Sequence, residues 1–159
     1  MMLALTKKTG YALVAMCHLA GLDGEKLASA REIAGLFGVP TALLMNVLKE
    51  LAGAGYVESV RGARGGYRLA RAPERINLAD VVAVIEGPVR LAECVTEAAA
   101  DDSECTCRLM ASCPISDPMH RVQRKLRDFL KKVTLAEIVG PPVEPTGLAP
   151  AAAPVIKDY

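Results

Sequence analysis

The length, composition and charge of the chain limit the folds it can adopt. With 159 residues, 52% of them hydrophobic, it can form one cored domain with an appended element but is short for two full domains. Aromatic residues make up 4% and Trp is absent, which favours thin helices packed on one another, so we predict a mostly α protein. The net charge of +1 hides a basic segment 1–75, an acidic segment 76–113 and a basic segment 114–139. No run reaches the ~18 apolar residues of a membrane span, and residues 7–30 imitate a secretory signal only loosely, so we predict no membrane partner.

Three short helices are predicted in the first third of the chain. Residues 11–20 are apolar on nearly every side, as in a helix covered by its neighbours. Ser29 and Glu32 form a capping box that begins a second helix, which ends at Gly38. A third helix begins at Val39-Pro40, and its apolar residues repeat at helical spacing: Leu43, Leu44, Val47, Leu48 and Leu51. Two short helices joined by a tight turn, preceded by a buried helix, indicate a helix-turn-helix.

A two-stranded β wing is predicted after the third helix. Residues 56–60 alternate like a strand, residues 61–66 form a glycine-rich hairpin tip, and residues 67–69 form the returning strand. We therefore assign residues 1–75 to a winged helix-turn-helix domain.

The remainder of the chain divides into four segments. Asn77 and Asp80 cap a connecting helix within residues 76–93, which Gly87-Pro88 breaks. Residues 94–113 form a cysteine-containing loop and residues 114–139 a long helix. The Pro- and Ala-rich residues 140–159 are predicted to be a disordered tail.

The long helix carries one apolar seam at steps of three, four, three and four residues, formed by Met119, Val122, Leu126, Phe129 and Val133. Such a seam is typical of a helix that pairs with another helix, and it could also pack on its own domain. Because Arg and Lys residues flank the seam, we predict that it is the dimerisation contact of a homodimer.

The second helix of a helix-turn-helix lies in the major groove of DNA, and its candidate contacts here are Thr41, Ala42, Met45, Asn46 and Lys49. Asn46 could pair with an adenine edge and Thr41 could donate to a phosphate. Ala42 and Met45 offer only apolar contact, and Met45 could equally be a core residue.

The wing supplies a second set of candidate DNA contacts. Arg61 and Arg64 are separated by small residues, among them Gly62, which would let the tip approach a narrow minor groove. A solvated hairpin tip is the alternative. Lys7 and Lys8 oppose the dipole of the first helix, and phosphate binding would explain cations at that position.

Four cysteines lie in one polar loop, Cys94, Cys105, Cys107 and Cys113. Five cysteines in all are an odd number for a disulfide framework and suit reduced thiols that bind metal in the cytoplasm. Structural zinc usually shows paired C-x-x-C knuckles, which are missing, whereas iron–sulfur clusters tolerate looser spacing. A zinc site or a thiol–disulfide switch remains the alternative. Cys17, in the apolar first helix, is interpreted as an ordinary buried thiol.

The sequence resembles the iron–sulfur and nitric-oxide responsive regulators typified by IscR and NsrR. The resemblance covers residues 2 to about 139 and is carried most specifically by the wing, residues 60–69, and by residues 134–138. It implies a cytoplasmic transcription regulator that is not an enzyme and takes no small-molecule substrate. The regulator is expected to be a repressor and to bind double-stranded operator DNA as a homodimer. Its operator affinity would depend on a cluster that senses iron–sulfur status, redox state or nitric oxide. An electron-transfer protein is disfavoured because no nucleotide or flavin fingerprint is present.

The resemblance also implies the ligands of the cluster. The three cysteine ligands of the family fall on Cys94, Cys107 and Cys113. Relatives often take a fourth ligand from His or a carboxylate, sometimes near the partner's N-terminus, where Lys7 and Lys8 stand here. Cys105 is therefore the expected fourth ligand, which favours a 4Fe-4S over a 2Fe-2S cluster, with His120 and Glu104 as weaker candidates. Met45 replaces a polar residue that some relatives use for base discrimination, so the operator sequence does not carry over.

Overall fold

The computed structural model describes residues 5–22, 26–62, 64–92, 95 and 112–140. The described part is mostly helical with one two-stranded antiparallel sheet, as predicted. In chain order its elements are α1 (Lys7–Ala20), α2 (Ala30–Phe37), α3 (Thr41–Gly53), β1 (Val57–Val60), β2 (Gly66–Leu69), a 3-10 turn (Pro73–Arg75), α4 (Leu78–Glu86), α5 (Ser116–Lys132) and α6 (Leu135–Val139). No helix of the described ranges is both long and apolar enough to cross a membrane.

Helix α1 begins four residues earlier than the apolar pattern indicates. Thr6 caps it, because the Thr6 side chain accepts a hydrogen bond from the backbone N–H of Thr9. Ala12, Ala15 and Met16 are completely buried, which confirms a central helix covered by its neighbours.

The helix-turn-helix consists of α2 and α3. The Ser29–Glu32 capping box is present, with the Glu32 N–H donating to Ser29 Oγ (3.1 Å) and the Ser29 N–H donating to Glu32 Oε2 (3.4 Å). Gly38 ends α2 at φ 65°, a left-handed conformation that glycine adopts without steric cost. The inner face of α3 is fully buried through Leu44, Val47, Leu48 and Leu51.

The wing is a hairpin in which Val57 pairs with Leu69 and Val60 with Gly66. Its second strand also pairs with the chain that precedes α2, which the sequence did not predict. The Ala28 N–H donates to the Tyr67 carbonyl (3.1 Å), and the Tyr67 N–H donates to the Ala28 carbonyl (2.9 Å). The root of the wing is therefore fixed to the start of the helix-turn-helix.

Helices α4 and α6, which follow the wing, contribute to the same hydrophobic core as α1 and α3. Asn77 caps α4 by accepting from the Asp80 N–H (2.9 Å), as predicted. The segment 114–139, predicted as one helix, is two, because Val133 is extended and Thr134 caps α6. The Leu135 N–H donates to the Ile76 carbonyl (2.7 Å), and both side chains are fully buried in the same core as α1 and α3.

Candidate nucleic-acid interface and cysteine site

The predicted reading face of α3 points away from the core. Ala42, Asn46 and Lys49 are exposed and Thr41 is half-buried. Met45 is 40% exposed, so its place is on this outer face rather than in the core. The face presents an amide, a hydroxyl, a cation and two apolar side chains, which is a usable set for base edges and phosphates.

The wing tip carries its two predicted arginines outward. Arg61, Gly62 and Arg64 are exposed, and Gly62 has φ 133°, which only glycine adopts readily. A Cβ on Gly65 would lie 2.4 Å from the Val60 carbonyl oxygen, so this position of the tip requires glycine. Among the described residues of the tip, Arg61 and Arg64 are thus the large exposed side chains.

Replacing Arg61 with Ala is expected to weaken operator binding more than twofold, because the variant would lack the arginine predicted to contact the minor groove or a phosphate. Fluorescence anisotropy with labelled operator DNA measures the change. Arg124→Ala, which removes an exposed arginine from α5, is the control and should leave the affinity unchanged. Equal affinities for wild type and Arg61→Ala would remove the wing from the interface.

The two lysines at the start of α1 differ in their surroundings. Lys7 is exposed, whereas Lys8 Nζ lies 2.8 Å from both carboxylate oxygens of Glu50 on α3. Lys8 therefore ties α1 to the reading helix, and its charge is compensated there. Of the two, Lys7 is the better placed for a phosphate.

A second polar link joins α1 to the end of α4. Glu86 Oε1 accepts from the Thr6 N–H (2.9 Å), from Thr6 Oγ1 (2.9 Å) and from Oγ1 of the fully buried Thr9. Burial by itself raises the pKa of Glu86, but these hydrogen bonds and the nearby Lys8 outweigh it, and the pKa lies below its ordinary value. The carboxylate thus holds the start of α1 against the end of α4, immediately before the chain turns toward the cysteine loop.

Glu86→Gln is expected to flatten the pH dependence of stability. A lowered pKa in the folded state gives stability that is present above the ordinary value near 4.5 and is lost as pH falls below it. Urea unfolding at pH 7 and pH 4 should therefore show a smaller loss for Glu86→Gln than for wild type. Glu74→Gln, on the exposed 3-10 turn, is the control and should lose as much as wild type. An identical loss in all three proteins would refute the role of Glu86.

The structure places one of the four predicted cysteine ligands. Cys113 is half-buried, and its carbonyl accepts from the Ser116 N–H at the first turn of α5 (3.3 Å), where the positive end of the helix dipole favours an anionic ligand. Cys94, Cys105 and Cys107 lie outside the described residues, as does Glu104, while His120 is half-buried on α5. Within the described ranges no group of three or more His, Cys, Asp or Glu could hold a metal ion.

The donor chemistry of the predicted site is compatible with an iron–sulfur cluster, because four thiols within twenty residues match the ligand type that such clusters require. Cys17 is different. It is half-buried in α1, and burial raises the pKa of its thiol, which disfavours the thiolate form that binds metal. This agrees with its exclusion from the site.

Helix α5 leaves part of its apolar seam uncovered. Val122 is 49% exposed and Phe129 is 61% exposed, whereas Met119 and Leu126 are half-buried. Ile115, just before the helix and 60% exposed, continues the line at the same seven-residue interval, a signal that the sequence contained but that the prediction omitted. The Val133 carbonyl accepts from the Leu78 N–H (2.9 Å), so Val133 lies beyond α5 rather than on it.

The helix pair α2–α3 with its exposed outer face, the β1–β2 wing with two arginines and the separate long helix α5 together define a winged helix-turn-helix DNA-binding regulator. Residues 5–141 match the sequence model of the Rrf2 family, described as an iron-dependent transcriptional regulator. The chain therefore belongs to the Rrf2 family of transcriptional regulators and is not an enzyme.

The chain is also similar to individual proteins over most of their length. The chain is 36% identical over 135 residues to the protein aau3 of Rhizobium meliloti (85% of this chain, 84% of that protein). It is 32% identical over 135 residues to the HTH-type transcriptional regulator NsrR of Bacillus licheniformis (85% of this chain, 91% of that protein). Among solved structures, CymR, the global cysteine regulator of B. subtilis, superposes with a TM-score of 0.68 at 28% identity, covering 87% of this chain and 97% of CymR. The resemblance predicted from the sequence is confirmed at the level of the family.

Proposed function

We propose that this protein is a cytoplasmic, homodimeric repressor that binds double-stranded operator DNA with an affinity set by an iron–sulfur cluster. The ligands are Cys94, Cys105, Cys107 and Cys113, and the cluster is of the 4Fe-4S type. The observation that carries the proposal is the cysteine loop itself, four thiols ending at the first turn of α5, in a chain of a family described as iron-dependent.

The proposed mechanism uses three surfaces of the chain. The outer face of α3 and the wing tip contact one operator half-site, and the uncovered seam of α5 pairs with the same seam of a second copy. Two half-sites one helical turn apart, roughly 34–36 Å, tolerate little change in the spacing of the two reading helices. A bound cluster would supply a redox- and nitric-oxide-sensitive group, and Cys94, Cys105, Cys107 and Cys113 would hold it. The state of the loop then biases the dimer between two geometries of different operator affinity.

A second candidate keeps the DNA-binding role and replaces the cluster with zinc or a thiol–disulfide switch. The structural similarity to CymR, described as a cysteine regulator, favours it. The loop thiols would then respond to their own oxidation or to metal occupancy.

Anaerobic purification separates the two candidates. The proposal predicts a brown protein with visible absorbance, about four iron and four sulfide per protomer, and an operator affinity that changes when the cluster is removed. The second candidate predicts colourless protein that contains zinc or responds to thiol oxidants. Protein free of iron and sulfide whose affinity is unchanged after all four loop cysteines become serine would overturn the proposal.

A further inference from the structure

Gln123 makes a buried polar contact to which the proposed function assigns no role. Of the seventeen residues of α5, all of which the structure describes, Gln123 alone is buried, at 7% exposure. Its Oε1 accepts from the Leu91 N–H (3.0 Å), and its Nε2 donates to the Val89 carbonyl. Both functions of the amide are therefore used by backbone groups two residues apart.

This arrangement fixes the path of residues 89–91. They follow the break at Gly87-Pro88 and belong to neither helix nor strand, so they have no ladder of their own. A buried backbone N–H or carbonyl without a partner is costly, and Gln123 supplies partners to one of each. The Gln123 side chain thus makes the two hydrogen bonds that a neighbouring β-strand would make, and it determines the position of residues 89–91.

The segment leads directly into the cysteine loop. Cys94 comes three residues after Leu91, and the other end of the loop, Cys113, adjoins the first turn of α5 at Ser116. At a rise of 1.5 Å per residue, Gln123 lies about 10 Å along the helix from Ser116. Helix α5 thus contacts described residues on both sides of the loop, Leu91 through the Gln123 amide and Cys113 through the Ser116 N–H.

The same part of α5 carries the uncovered apolar seam. Val122 is the neighbour of Gln123 in sequence and points to the exposed side, while Gln123 points to the buried side. We propose that Gln123 is the positioning residue that fixes residues 89–91, which precede the cysteine loop, on helix α5, and that operator affinity depends on the state of the loop through this amide. The second half of this inference rests on the proposed function; the first half does not.

Two variants separate the two hydrogen bonds. Gln123→Met keeps the size of the side chain and makes neither bond, whereas Gln123→Glu keeps the acceptor for the Leu91 N–H and loses the donor to the Val89 carbonyl. Arg124→Met, one residue along and exposed, is the matched control. Should Gln123→Met fail to fold by circular dichroism, Gln123→Leu, which also makes neither bond, carries the exchange test, and Gln123→Glu carries the test of coupling.

Two measurements are made on the full-length protein. Amide hydrogen exchange at Leu91 reports the hydrogen bonds of Gln123 to residues 89–91, which we call the clamp. The ratio of operator Kd between protein with iron and sulfide and protein stripped of them reports the coupling of the loop to DNA binding. We expect at least tenfold faster exchange in Gln123→Met and a Kd ratio that falls toward one, with iron content and dimer mass retained. Gln123→Glu should keep the slow exchange of the Leu91 amide but give a Kd ratio between that of wild type and one. Arg124→Met should match wild type in both measurements.

Unchanged exchange at Leu91 in Gln123→Met would overturn the clamp. Faster exchange with an unchanged Kd ratio would overturn its role in coupling. A wild-type protein that holds no iron and sulfide, or whose own ratio is one, is instead a failure of the proposed function, and the exchange at Leu91 still decides whether Gln123 positions the loop.

Discussion

Replacing Phe129 with Asp is expected to convert the proposed dimer to a monomer and to weaken operator binding on the order of 100-fold. Phe129 is 61% exposed in a single copy and lies on the same line as Val122, so a second copy must cover it if α5 is the dimer contact. A carboxylate at this place would have to lose its water in an apolar interface, which strongly disfavours association. Loss of the partner removes the second half-site contact, and linked binding sites typically gain roughly 10²–10⁴ in affinity.

Light scattering coupled to size exclusion gives the mass, and anisotropy gives the operator Kd. Phe129→Leu keeps an apolar side chain and should remain dimeric with near wild-type affinity. A Phe129→Asp protein that still has the mass of two copies would show that the seam of α5 is not the dimer contact.

The second large effect is expected at the root of the wing. A Cβ on Gly66 would lie 2.8 Å from the carbonyl oxygen of Ala28 and 3.0 Å from its carbon, both backbone atoms that cannot move aside cheaply. Gly66→Val should therefore separate β2 from the Ala28 segment and break the hydrogen bonds between Ala28 and Tyr67. We expect a loss of about 1–3 kcal/mol in the free energy of unfolding, as for other overpacked positions.

Because the same bonds hold the wing against the helix-turn-helix, operator affinity should fall about tenfold as well, which corresponds to about 1.4 kcal/mol of binding free energy. Urea unfolding and anisotropy measure the two losses. Gly53→Ala is the matched control, since a Cβ at Gly53 meets nothing within 4 Å, and it should be neutral or slightly stabilising. Wild-type stability and affinity in Gly66→Val would contradict the role of this contact.

The sequence by itself determined the features that depend on residues a few positions apart. The Ser29–Glu32 capping box, the Asn77 cap and the end of α2 at Gly38 each use groups within one turn of a helix, so their residue types suffice to predict them. The apolar spacing in α3 likewise predicted the core face that the structure buries. Thr134 and Glu137 repeat the pattern of Ser29 and Glu32, and that local signal could have divided the predicted helix 114–139 into α5 and α6.

Only the tertiary structure decided the contacts between distant segments. Lys8 meets Glu50 forty-two residues away, and Thr6 meets Glu86 eighty residues away. The pairing of Ala28 with Tyr67 and the clamp of Gln123 on residues 89–91 are of the same kind. Each depends on the angles at which helices pack, and a one-dimensional pattern does not specify these angles.

The same distinction applies to the candidate site. The sequence supplied the four loop cysteines and the arginines of the wing, because ligand type and glycine content are properties of the residues themselves. It treated the seam of α5 as one set, whereas the structure buries Gln123 beside it, leaves Val122 and Phe129 exposed, and places Val133 beyond the helix. The sequence thus determined which chemistry is available, and packing decided which side chains face solvent, because exposure depends on what the rest of the chain covers.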